Sequence, residues 1–156
     1  MNVKVIVIPG LVAGFVSFLV SIFFLMNPLV SGVYSKYRDW PILKTIATFG
    51  GLGNWLIFML IGSLFSTVPL AVLYSYTEKG LGIEYTWKKG LFFGVLFWLV
   101  SRIPLSYYIW FRFSYPNILN IIEAINGFVS TIVAGILLAI LYEKLKWKYY
   151  MKNWKK

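Results

Sequence analysis

The chain has 156 residues, 60% of them hydrophobic and only 13% charged, with a net charge of +10 and a mean hydropathy of +0.76. A soluble domain carries about a quarter charged residues, so this composition places the chain in lipid. Cysteine and histidine are absent, which excludes disulfides, thiol chemistry, Cys/His zinc sites, histidine-ligated haem and Ser–His or Cys–His nucleophile pairs.

The carboxylates are Asp39, Glu78, Glu84, Glu123 and Glu143, scattered too widely for a metal cluster. No catalytic, cofactor-binding or metal-ligating residue is expected, and the chain reads as no enzyme. "GGLG" at Gly50–Gly53 lacks the Lys-Ser/Thr of a phosphate loop and is a turn.

A spanning helix needs roughly 20 apolar residues. In chain order, such runs predict spans over about residues 4–27, 54–77, 88–111 and 117–143. The first run is too long for a cleavable signal peptide and has no small-residue cleavage site after it. The expectation is one membrane domain over 1–156: an all-α, four-transmembrane-helix bundle.

The first span opens with "GLVAGFVSFLVS" (Gly10–Ser21). Gly10 and Gly14 stand one turn apart, a spacing that lets a neighbouring backbone come close. The connection from Asn27 to Gly53 is long and carries Tyr34, Tyr37 and Trp40, aromatics suited to a membrane interface. Within it Asp39 is a candidate cap for a surface helix over "PILKTIATF", with Pro41 in its first turn.

The second span offers Gly62, Ser63, Ser66 and Thr67 as a small face. Pro69 breaks its hydrogen-bond ladder, and the neighbouring hydroxyls are placed to re-satisfy freed carbonyls. The third span opens with "GLFFGVLFWLVS" (Gly90–Ser101), which shares both glycines, the leucines at 11/91 and 19/99, and the closing Val-Ser with the first. Gly90 and Gly94 repeat the close-packing device, and Pro104 repeats the interruption. The fourth span carries Gly127, Thr131, Gly135 and Ala139 at a spacing of four. It ends "AILY" where the second ends "AVLY". Two readings of this echo stay open: two duplicated hairpins in the same, parallel orientation, related by an axis along the membrane normal, or the chance likeness of two apolar helices.

The copies differ where ionisable residues enter the membrane. Arg102 stands where the first span has Ile22, and Glu123 lies in the fourth span. Both are equally far from the turn near Arg112, so in an antiparallel hairpin they share a depth of about 10–15 Å below it. Intramembrane charges mark a functional site by default. The candidate polar site is Arg102, Glu123, Trp98, Asn126 and Ser101, with Trp98 expected to stack on the guanidinium. A gate or an anion site is one reading; a salt bridge fixing hairpin register is the other.

The tail, residues 144–156, sets Lys144, Lys148, Lys152 and Lys155 on one side of a helix, and Trp147, Tyr150, Met151 and Trp154 on another. This fits a basic amphipathic helix in the headgroup region, its lysines on anionic lipid at about 1 kcal/mol each, and equally a basic anchor that enforces topology. With the amino terminus in the cytoplasm, Lys4, Lys79, Lys88, Lys89 and the six tail lysines face inward. Lys36, Arg38, Lys44 and Arg112 face outward, ten against four. The positive-inside rule then puts both termini in the cytoplasm, and in a prokaryote the membrane would be the inner one. This distribution argues against nucleic acid as the partner of the net charge.

The stretches "GLVAGFVSFLVSIFFLM", "NWLIFMLIGSLFSTVPLAVLY", "WKKGLFFGVLFWLVSRIP" and "GFVSTIVAGILLAILYEKL" together resemble small four-helix prokaryotic membrane proteins grouped as domains of unknown function, of the DUF6789 and YagU-like kind. The likeness spans nearly the whole chain and implies the fold without an activity. Such relatives often carry histidines in helices two or four, and this chain has none. Three functions stay open: an accessory or scaffold subunit of a membrane complex, a small transporter or channel working as a homo-oligomer through Arg102 and Glu123, and a lipid-binding protein.

Overall fold

In lipid a backbone must satisfy its own polar groups, so long apolar runs become helices. The computed structural model describes residues 3–41, 44 and 46–154, with side chains as far as Met151. Its elements are α1 (Val3–Met26), α2 (Pro28–Lys36), a 3-10 turn (Ile46–Phe49), α3 (Leu52–Thr77), α4 (Thr86–Arg112) and α5 (Asn117–Trp154). Among the described residues there is no strand. α1, α3, α4 and α5 are each long and apolar enough to cross a membrane. The protein is therefore an all-helical multi-pass membrane protein. The start of α1 and the end of α5 lie at one end, called here the termini end, and the α4–α5 turn marks the other.

Two elements differ from the sequence expectation. The helix in the long connection is α2, one residue after α1. Asn27 caps it, accepting from the Leu29 amide at 2.9 Å, and Pro28 starts it. Asn-Pro is a strong start signal, and the apolar run around it hides it. Beyond α2 only the Ile46–Phe49 turn is helical in the described part of "PILKTIATF"; Ile42, Leu43 and Thr45 lie outside the described residues. Gly50 and Gly51 then take φ of 78° and 120° to aim the chain into α3, a conformation glycine adopts without strain.

The second difference is the tail. No bend separates residues 144–154 from the fourth span; α5 runs unbroken for 38 residues. Nothing after Gly135 disfavours a helix, and Leu, Lys and Glu favour one. Lys144, Lys148 and Trp147 are exposed along this continuation, and Leu145 packs inward. The side chains of Lys152 and Trp154, and Lys155 entirely, lie outside the described residues.

The spans pack in a row, α3–α1–α5–α4, each helix tight against the next. Small residues set the distances. A Cβ on Gly10 would stand 3.0 Å from Ala71 Cβ and 3.1 Å from Val68 Cα; one on Gly14 would meet Thr67 and Leu64. A Cβ on Gly90 would stand 2.5 Å from Gly135 O and 2.9 Å from Ala139 Cβ, and one on Gly94 2.8 Å from Thr131 O. Ser63 reinforces α1–α3 by donating to Gly14 O at 2.8 Å. In membranes such close backbone approach is what holds helices together.

A closed bundle has a fourth lateral interface, here between α3 and α4, and that one is open. The two helices meet near the termini end, where Tyr74 stands edge-on to Phe93 (centroids 5.1 Å apart) and to Tyr142 (5.6 Å). Tyr74 and Tyr142 are 0% and 2% exposed. Above this aromatic plug α3 and α4 splay apart.

Candidate functional site

The splay leaves a cleft of about 430 Å³, within the range of ligand pockets. α1 and α5 form its floor through Ser17, Ser21, Thr131 and Ala134; Ser63 and Thr67 come from α3, and Phe97 and Arg102 from α4. It is open rather than enclosed, with the exposed Phe58 of α3 on its rim.

The hydroxyls of the cleft are committed within the protein. Ser66 donates to Gly62 O at 2.9 Å, Thr67 to Ser63 O at 2.9 Å and Thr131 to Gly127 O at 2.6 Å. Ser66 and Thr67 thus bond back into their own helix and leave the Phe65 carbonyl, which Pro69 frees, to other partners. Ser17 reaches Ser130 O at 3.4 Å, and the Ser21 and Ser130 hydroxyls share a bond of 2.8 Å. Ser130 also donates to Asn126 O at 2.7 Å and lies 3.3 Å from Asn126 Oδ1. Asn126 therefore belongs to a seam between α5 and α1.

Arg102 is the charged member. Its Nη2 donates to Glu123 Oε2 at 3.0 Å. Glu123 Oε1 accepts from Tyr115 Oη at 2.6 Å and Tyr34 Oη at 3.3 Å. One carboxylate thus ties α4, α5, the turn and α2 together. Burial first, then the charge of Glu123 and the bond to it, push both tyrosine hydroxyls above their ordinary pKa, so they stay protonated donors. The stem of Arg102 lies on Gly127, where an added Cβ would stand 3.4 Å from Cγ. Arg102 Nε is buried with no hydrogen-bond partner among the described residues.

Trp98 does not stack on this guanidinium. Its indole donates to Ala124 O at 3.0 Å and its ring stands edge-on to Phe128, centroids 4.9 Å apart. Ser101 turns back to Phe97 O at 2.6 Å on an exposed face. The polar site brings together Arg102, Glu123, Tyr34 and Tyr115, with Asn126 in the neighbouring seam and Ser101 apart. The two tyrosines escape sequence reading because they sit in connections, where interfacial aromatics are commonplace.

A second cluster closes the termini end. Glu78, 3% exposed, pairs with Lys146, and Lys89 lies 4.0 Å from Glu143. Burial opposes ionisation of Glu78. The bond to Lys146, the neighbouring Glu143 carboxyl and the charges of Lys146 and Lys89 outweigh it and hold the carboxyl below its ordinary value. Among the described residues no group of three or more acidic side chains is placed to hold a metal. No family model, curated protein or solved structure matches the chain.

Proposed function

We propose that the chain is a non-enzymatic multi-pass membrane protein that works by holding a membrane-resident partner in the α3–α4 cleft, as an accessory or scaffold subunit does. The missing fourth interface carries this reading: a small-residue groove at mid-membrane stays open where the other three interfaces are sealed. Photocrosslinkers at Phe58 and Met59, which line the cleft, are expected to give a discrete adduct in native membranes, unlike ones at Phe15 and Ile140 on exposed faces. The same diffuse labelling from all four positions sinks the reading.

Transport through a single chain is the weaker reading, because Tyr74, Phe93 and Tyr142 plug the cleft at the termini end. Both termini are proposed to face the cytoplasm, on the distribution of lysines, and a carboxyl-terminal reporter that reads external refutes this. Duplication is proposed too. Gly10 meets Ala71 as Gly90 meets Ala139, and Gly14 meets Leu64 as Gly94 meets Ile132, so the two hairpins share a register as well as a sequence echo. The four-span architecture is in keeping with kinship to the DUF6789 and YagU-like proteins. The exposed lysines Lys144 and Lys148 are in keeping with contact to anionic headgroups.

A further inference from the structure

We infer that the cleft is a binding site for a lipid with an anionic, phosphate-bearing headgroup, its head on Arg102 and one acyl chain running down the groove toward the Tyr74 plug. This rests on the cleft being the partner site and names the partner.

The chemistry of the walls sorts the candidates. Ser63, Ser66, Thr67 and Thr131 have spent their hydroxyl hydrogens on carbonyls of the protein. What they present to an occupant demands no donor or acceptor in return. Phe18, Phe58, Met59, Leu70 and Phe97 complete an apolar wall. An alkyl chain satisfies such a surface. Toward the termini end the lining stops at Leu70, Phe97 and Ala134, with the Tyr74, Phe93 and Tyr142 rings packed together beyond it.

Arg102 is the exception to this commitment. A guanidinium offers five N–H donors in a fork that matches phosphate oxygens two at a time. Here the bond to Glu123 is made by Nη2 and Nε is buried against Gly127, so among the described residues Nη1 is the nitrogen left for an occupant. Glu123 does not depend on Arg102 alone, since Tyr34 and Tyr115 also donate to it. The guanidinium can therefore share itself with a phosphate without stranding a bare carboxylate. The head end of the groove lies in the half of the membrane nearer the α4–α5 turn, and the chain descends from there. A transmembrane helix would have to bring its own acceptor to Arg102 and its own relief for the plug, whereas a phospholipid brings a phosphate and a flexible end.

The test is native mass spectrometry of the full chain released from nanodiscs of phosphatidylcholine and phosphatidylglycerol in equal amounts. The wild type is expected to retain one phosphatidylglycerol, preferred over phosphatidylcholine by roughly tenfold, as one charge-assisted contact supplies. Arg102→Gln should erase that preference. Gly62→Trp should abolish retention of either lipid while leaving Arg102 and Glu123 in place. Gly62 is exposed and a Cβ there meets nothing within 4 Å, so the backbone accepts a side chain there independently of Arg102→Gln, and a cooperative unfolding transition verifies the fold of each variant. Equal retention of the two lipids overturns the inference and leaves the partner site standing. So does release of phosphatidylglycerol by millimolar inorganic phosphate alone, which marks a site for the free anion. A protein adduct at Phe58 with no retained lipid identifies a helix as the occupant and overturns it too. No lipid and no discrete adduct refutes both this inference and the partner reading.

Discussion

Glu78 and Lys146 hold corresponding places in the two hairpins and are bonded to each other. Glu78 follows the "AVLY" that ends α3's span by four residues, and Lys146 follows the "AILY" of α5 by the same interval. One turn deeper, Tyr74 and Tyr142, the last residues of those two stretches, are in ring contact. The termini end is thus sealed by two contacts at matching distances along α3 and α5, one ionic and one aromatic.

Acid should loosen this seal. The folded-state pKa of Glu78 is held below its ordinary 4.5. Its contribution is therefore fully present above that value and is lost as pH falls through the lower folded one. Unfolding midpoints of the wild type in detergent should fall below about pH 4.5. Glu78→Gln should cost about 2 kcal/mol at neutral pH and flatten that dependence. This is less than the 3–5 kcal/mol of a fully buried pair, because Lys146 keeps Glu143 nearby and is part-exposed. An unchanged acid slope in the variant refutes the assignment.

Glycine substitutions should separate sealed faces from open ones. A Cβ on Gly90 meets backbone, Gly135 O at 2.5 Å and Ile136 Cα at 2.7 Å, and backbone cannot swing aside. Gly90→Ala should destabilise by more than about 2 kcal/mol, as overpacking does. Gly62→Ala should stabilise by about 0.5–1 kcal/mol through helix propensity. Thermal unfolding of the two variants side by side decides; a tolerant Gly90 would mean α4 and α5 stand further apart.

The carboxylate with three donors should resist a charge swap. Arg102→Met leaves Glu123 its two tyrosines and should cost about 1–3 kcal/mol. Arg102→Glu with Glu123→Arg should not restore stability, because Tyr34 and Tyr115 would then aim their donors at a guanidinium. Full recovery in the double variant would mean the pair acts alone and the tyrosine bonds contribute nothing.

Asn27→Ala removes the cap of α2 and should cost about 1 kcal/mol. Hydrogen exchange should rise over 28–36 while α1 stays protected. A uniform rise across both helices would place α2 within one cooperative unit with α1.

The spans were legible because hydropathy reports length and lipid in one measure. Equal distance from a turn puts Arg102 and Glu123 at one depth, and the two are 3.0 Å apart. What the sequence hides is pairing. All four spans carry small faces, so nothing in Gly62, Ser66, Gly127 or Thr131 says which interface closes and which stays open. α2 was hidden because Asn27-Pro28 sits inside an apolar stretch, where a cap reads as a loop. The Trp98 contact was mistaken because position gives proximity to Arg102 but not the direction of the indole, which Phe128 and the Ala124 carbonyl decide. Lys146, on neither the expected basic nor the expected aromatic side of the tail, is the tail residue that reaches across to α3.

α5 carries Glu123 near one end and Lys146 near the other, roughly 35 Å apart along an uninterrupted rod. Each is clamped to a different neighbour, Arg102 of α4 and Glu78 at the end of α3. These are the same two helices that border the cleft. A slide or roll of α5 strains both clamps together. One unbroken helix thereby carries an ionic tie near each of its ends, each to a different wall of the cleft.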